Sequence, residues 1–187
     1  MKSGWCVWVT GLPSSGKSVI SQALLAKLKA KSVDAQILSS DMLRKVVTPK
    51  PSYSPEERDI VYATLVFVAK LLTQNGVNVI IDATGNLRRY RDEARKQIPR
   101  FMEAYIRCPL DTCIERESRR GITFYAPKDI YKKGVTGKSA TVPGLGAPYE
   151  PPQKPEVTVD SERLSPEECA QKILQTLTKT LNIFNFQ

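Results

Sequence analysis

Gly11-Leu12-Pro13-Ser14-Ser15-Gly16-Lys17-Ser18 fits the pattern G-x-x-x-x-G-K-[ST], a glycine-rich loop whose backbone cradles phosphates. Working outward, Trp5-Cys-Val-Trp-Val9 is an apolar, β-branched run suited to a buried strand. On the other side, Val19, Ile20, Ala23, Leu24 and Leu28 recur at helical spacing. Strand, loop and helix are the context that separates a phosphate loop from a Gly-Ser turn with an exposed lysine. Gly11 and Gly16 let the backbone N–H groups approach an anion, and the following helix points its positive end at the same place. Lys17 can reach the β- and γ-phosphates, and the Ser18 hydroxyl can ligate Mg²⁺.

Further along, strand and helix patterns alternate. Ala35–Leu38, Val77–Ile81, Met102–Ile106 and Val157–Val159 read as strands. Ser54-Pro-Glu-Glu57 and Ser165-Pro-Glu-Glu168 read as helix starts with serine caps. The first of these helices runs to about Leu72, where Asn75-Gly76 ends it. The second runs to about Leu181. A basic helix covers 89–97 and another helix covers Leu110–Arg119. This alternation predicts an α/β fold: a three-layer P-loop NTPase sandwich with a central five-stranded parallel sheet and helices on both faces. Residues 120–155 are rich in Gly, Pro, Lys and Tyr and lack periodicity. They are too long for an ordinary connection and read as a lid.

Length and composition suit a single soluble domain spanning 1–187, with 41% hydrophobic and 25% charged residues. No apolar run is long enough for a membrane span, and the chain enters its first strand with no signal-peptide pattern. Cys6, Cys108, Cys113 and Cys169 are scattered without a C-x-x-C pair, which points to a reduced, cytoplasmic protein. The absence of histidine removes the commonest general base and the usual zinc ligand. The net charge of +9 suits either nucleic acid or a small polyanionic substrate.

Ligands of such a sheet sit at the carboxyl ends of the strands. After the second strand, Asp41 can take part in Mg²⁺ binding or accept a proton from a hydroxyl nucleophile. Its alternative is a helix N-cap. Arg44, one turn later, can bind substrate phosphate. Asp82 ends the third strand, where a second Mg²⁺-organising carboxylate or a turn-forming aspartate would sit. Arg88 and Arg91 share a helix face, and either bind an anion or form a solvated surface. Arg116, Arg119 and Arg120 at the lid base are placed to stabilise charge on a transferring phosphoryl group.

These segments together resemble the adenylylsulfate kinase (APS kinase) family over residues 5–180. Asp41 with Arg44 resembles the end of its D-G-D-N-x-R segment. Tyr53-Ser-Pro-Glu-Glu-Arg58 resembles F-S-x-E-D-R, and Arg88 with Arg91 resembles S-P-Y-R-x-x-R. Phe101 to Cys113 resembles F-x-E-V-Y-V-x-x-P-L-E-x-C, and Pro148-Tyr-Glu-Pro-Pro152 resembles P-Y-E-x-P. The resemblance implies transfer of the ATP γ-phosphoryl to the 3′-hydroxyl of adenosine 5′-phosphosulfate (APS), with Mg²⁺ as cofactor. It implies an ATP site over Gly11 to Ser18 with Arg116. Lys17 and Asp41 are the implied catalytic residues, and Ser18, Asp41 and Asp82 are candidates for the metal. Arg44, Arg58 and Arg88 would hold the phosphosulfate and Tyr53 would stack on adenine. A homodimer is also implied.

The chain departs from the family at Ser39 and Ser40, which replace an aspartate and a glycine, and at Val61, which replaces an asparagine. The lid segment K-x-F-T-G becomes Ala140-Thr-Val142-Pro-Gly144, with the substrate-binding lysine displaced to about Lys138. Asp82-Ala-Thr84 is closer to polynucleotide-type kinases. A kinase for a nucleic-acid end or an aminoacylated RNA is therefore the second reading. A non-catalytic nucleotide switch is the third, and Lys17, Ser18 and Asp41 together argue against it.

Overall fold

The structure is a computed structural model and describes residues 3–119, 129–136 and 140–183. Five strands form one parallel sheet: β1 (Cys6–Thr10), β2 (Gln36–Ser39), β3 (Val79–Asp82), β4 (Phe101–Arg107) and β5 (Val157–Asp160). Their order is β2-β3-β1-β4-β5. The helices are α1 (Lys17–Lys29), α2 (Ser40–Val47), α3 (Pro55–Gln74), α4 (Arg88–Gln97), α5 (Leu110–Ser118), α6 (Ile130–Val135) and α7 (Pro166–Leu181).

Side-chain alternation along β1 explains the layers. Trp5, just before β1, and Val7 and Val9 within it face a core built with α1 and α7 through Ile20, Leu24, Ile173 and Leu177. Cys6 and Trp8 face the opposite core, built with α3 and α4 through Tyr62, Leu65, Tyr90 and Ala94. Because successive strand residues point to opposite faces, one strand serves two cores. Tyr62 and Tyr90 stack at 4.4 Å between ring centroids, which ties α3 to α4.

The parallel register sets the site. Asp82 lies beside Val9 on one neighbour and Ser39 on the other, so the ends of β1, β2 and β3 meet at one edge. Two readings need correction. Residues 77–78 precede β3 rather than belonging to it, because Val77 N–H donates to Leu72 O and closes the end of α3. Asp41 is not a helix cap: Ser39 is the N-cap of α2, its Oγ accepting from Met42 N–H at 3.4 Å, and Asp41 sits in the first turn. The expected lid contains the short helix α6, while residues 120–128 and 137–139 of it lie outside the described residues. Among the described residues, no helix is long and apolar enough to cross a membrane.

Candidate active site

A cavity of about 670 Å³ opens at the carboxyl ends of β1, β2 and β3. Pro13, Ser14, Gly16, Lys17 and Ser18 form its floor. The loop is built by close approach. A side chain at Gly11 would meet Ile106 O at 2.6 Å, and Gly16, at φ 97°, turns the chain into α1. Gly11, Leu12 and Ser15 do not line the cavity; they shape the loop from behind. Its carbonyls are held by the protein: Leu12 O accepts from Lys17 Nζ at 2.8 Å, Pro13 O from Tyr131 Oη at 2.8 Å, and Ser15 O from Ser161 Oγ at 2.8 Å. A glycine-rich turn of this kind opening a helix, with a lysine beside it, can hold an anion through its backbone N–H groups.

Asp41 and Asp82 line the same cavity. Asp82 is only 8% exposed, and the Ser18 side chain lies close enough to act on its carboxylate. Burial pushes its pKa above the ordinary carboxylate value; Lys17 and the Ser18 hydroxyl oppose this, and Asp41 adds to it. A desolvated carboxylate beside a hydroxyl and a second carboxylate is a hard-oxygen donor set. That suits Mg²⁺, which is commonly held by one or two carboxylates plus substrate phosphates. The segment after Asp82 is pinned by Trp8 Nε1 donating to Ala83 O at 2.9 Å and Thr10 Oγ1 donating to Thr84 O at 2.6 Å.

Arg44, Tyr53 and Arg58 form another wall of the cavity. The Arg44 guanidinium lies 4.7 Å from the centroid of the Tyr53 ring. Arg58 donates from Nε to Tyr53 O at 3.1 Å, from Nη1 to Asn86 Oδ1 at 3.2 Å, and from Nη2 to Thr141 O at 2.6 Å. It is thereby anchored as well as cavity-lining. Arg116 also reaches the cavity, its Nη2 donating to Ser161 O at 2.6 Å.

Other expected residues are placed elsewhere. Arg88 is not among the lining residues; its backbone N–H donates to Glu150 Oε2 at 2.8 Å and its Nε lies 3.7 Å from the same carboxylate. Arg91 is 1% exposed and pairs with Glu103 at 2.6 Å, so it serves the core rather than a ligand. Arg119 is exposed and pairs with Glu115 at 2.6 Å. Arg120 and Lys138 lie outside the described residues. Val61, where the family has asparagine, is buried away from the lining, whereas Val142 lines it beside Pro143. Ile130 and Lys133 in the cavity lining, and Tyr131 and Ser161 bonded to the loop carbonyls, escape sequence reading because only tertiary contact brings them there.

The adenylylsulphate kinase family model matches residues 3–160, most of the chain. The chain belongs to the adenylylsulfate kinase family. A probable adenylyl-sulfate kinase of Pyrococcus abyssi is 36% identical over 92% of this chain and 94% of its own length. The adenylyl-sulfate kinase of Rippkaea orientalis is 36% identical over 94% of this chain and 92% of its own. Among solved structures, the Mycobacterium tuberculosis APS kinase CysC in complex with AMPPNP and APS superimposes with a TM-score of 0.83 at 30% identity. That match covers 95% of this chain and 99% of that one. As a member of this kinase family, the chain carries its nucleotide-binding loop on the family's α/β scaffold.

Proposed function

We propose that this chain transfers the γ-phosphoryl group of ATP to the 3′-hydroxyl of APS, giving 3′-phosphoadenylyl sulfate and ADP. One observation carries this reading. A single cavity presents a phosphate loop with Lys17 and Ser18 on its floor, and an aromatic-arginine wall of Arg44, Tyr53 and Arg58. Asp41 lines the same space. ATP phosphates occupy the floor with Arg116 nearby. The acceptor's base stacks on Tyr53, and Arg44 and Arg58 bind its anionic end. The family resemblance alone assigns Lys138, outside the described residues, to the acceptor.

Ser18, Asp41 and Asp82 would hold Mg²⁺, which would supply charge neutralisation for the phosphate oxygens. Lys17 draws charge from the same oxygens and aligns them for in-line transfer. The Asp41 carboxylate accepts the proton of the attacking hydroxyl, the role histidine fills in many enzymes and for which this chain has no histidine. Ile130, Val142 and Pro143 contribute apolar surface that excludes water from the phosphates. Arg88, outside the lining and paired with Glu150, is assigned to the acceptor by the family resemblance alone. A reduced cytoplasmic setting fits four cysteines that are all free thiols. Assembly as a homodimer completes the proposal.

Asp41→Asn tests the assignment. Turnover should fall by about a hundredfold or more, while the ATP dissociation constant stays within about twofold. Unchanged turnover would remove Asp41 from the chemistry and make Asp82 the base to examine.

A further inference from the structure

The two helices that begin Ser-Pro-Glu-Glu spend their glutamates differently. In α7, Glu168 makes the ordinary reciprocal cap: its Oε2 accepts from Ser165 N–H at 2.8 Å. In α3, Ser54 caps Glu57 N–H at 3.2 Å, but the Glu57 carboxylate does not return to Ser54. Its Oε2 accepts from Ser52 N–H at 2.5 Å, Ser52 Oγ at 2.7 Å and Tyr53 N–H at 3.2 Å. Its Oε1 pairs with Arg44 Nη1. One carboxylate therefore joins two residues of the cavity wall, yet Glu57 itself does not line the cavity.

The backbone shows what this connection sustains. Tyr53 has φ 57°, a left-handed conformation that is unfavourable for a bulky aromatic residue. Glu57 holds its N–H and Arg58 holds its carbonyl. The ring lies against Arg44, which the other Glu57 oxygen fixes.

We propose that Glu57 is the positioning residue of the acceptor subsite, setting Arg44 and Tyr53 in binding geometry before the acceptor arrives. This rests on reading that wall as the acceptor site. An amide cannot replace the carboxylate: glutamine offers one acceptor oxygen, and its NH₂ would face either Arg44 or the Ser52 and Tyr53 donors. Whichever way it turns, one connection is lost.

The test is APS binding by calorimetry and steady-state kinetics on wild type, Glu57→Gln and Ser52→Ala, with thermal melts alongside. Glu57→Gln should raise the APS dissociation constant and KM on the order of tenfold, with ATP KM within about twofold, as expected for losing a charge-assisted contact. Ser52→Ala should shift APS binding in the same direction by less. In a double-mutant cycle, Glu57→Gln should add less on an Arg44→Ala background than on wild type. A purely structural role would lower the melting temperature and kcat without this split. Wild-type APS affinity in folded Glu57→Gln, or full additivity with Arg44→Ala, would overturn the inference alone. Failure of wild type to bind APS would overturn the acceptor reading and this inference with it.

Discussion

Two carboxylates share the cavity, and at the scale of single residues their environments separate them. Asp82 is buried at the meeting of β1, β2 and β3, and its carboxyl is held above the usual 3.8 of an aspartate, chiefly by that burial. A pKa raised on folding gives stability that is fully present below the unfolded value and is lost as pH rises through the folded one. At neutral pH the folded chain therefore carries a cost at Asp82. Asp82→Asn should melt at a higher temperature than wild type at pH 7, with the gap closing as pH falls toward 3.8. A lower melting temperature at pH 7 would contradict this. Such a cost is typical of sites kept for function rather than stability. The sequence puts Asp82 at the end of an apolar strand beside a phosphate loop but leaves a turn-forming aspartate open; the fold is what sets its side chain in the cavity lining. Glu57 was read only as a capping residue: the Ser-x-x-Glu spacing accounts for its backbone N–H but says nothing about where its carboxylate turns.

At the scale of elements, legibility tracked how local the stabilising contacts are. The starts of α3 and α7 were readable because serine cap and proline sit in the same short segment as the helix they begin. The start of α2 was not. Ser39 is the last residue of β2 and also the cap of α2, so strand passes to helix with no turn residues between them to mark the boundary. α6 was invisible for a different reason. It is six residues long, and its Ile130 and Tyr131 N–H groups are capped, both at 2.8 Å, by Glu117 from α5. A cap supplied by another helix leaves no trace in the local pattern. Ser39→Ala should cost about 1 kcal/mol of stability by urea unfolding, the usual value of a serine N-cap. Because Asp41 lies in the turn that Ser39 caps, the same change should lower turnover more than ATP affinity. No change in unfolding midpoint would mean that the 3.4 Å contact contributes nothing.

At the scale of the whole molecule, the parallel sheet gathers the strand ends that the sequence places far apart. The P-loop, Asp41 and Asp82 come together because β1 sits between β3 and β4 and β3 sits between β1 and β2. The net charge of +9 could not choose between a small polyanion and a nucleic acid. The structure spends several arginines on protein carboxylates: Arg91 and Arg95 on Glu103 and Glu156, Arg89 on Asp59, and Arg107 on Asp160. Charge held in such pairs does not form a continuous phosphate-tracking surface, and the family match points the same way. The most direct measurement is ADP release from Mg-ATP with and without APS, with an RNA pool as parallel acceptor, at low and moderate salt. The account predicts strong stimulation by APS, a product bearing one added phosphate, and weak salt dependence. No stimulation by APS, together with steeply salt-sensitive phosphate transfer to RNA, would contradict it.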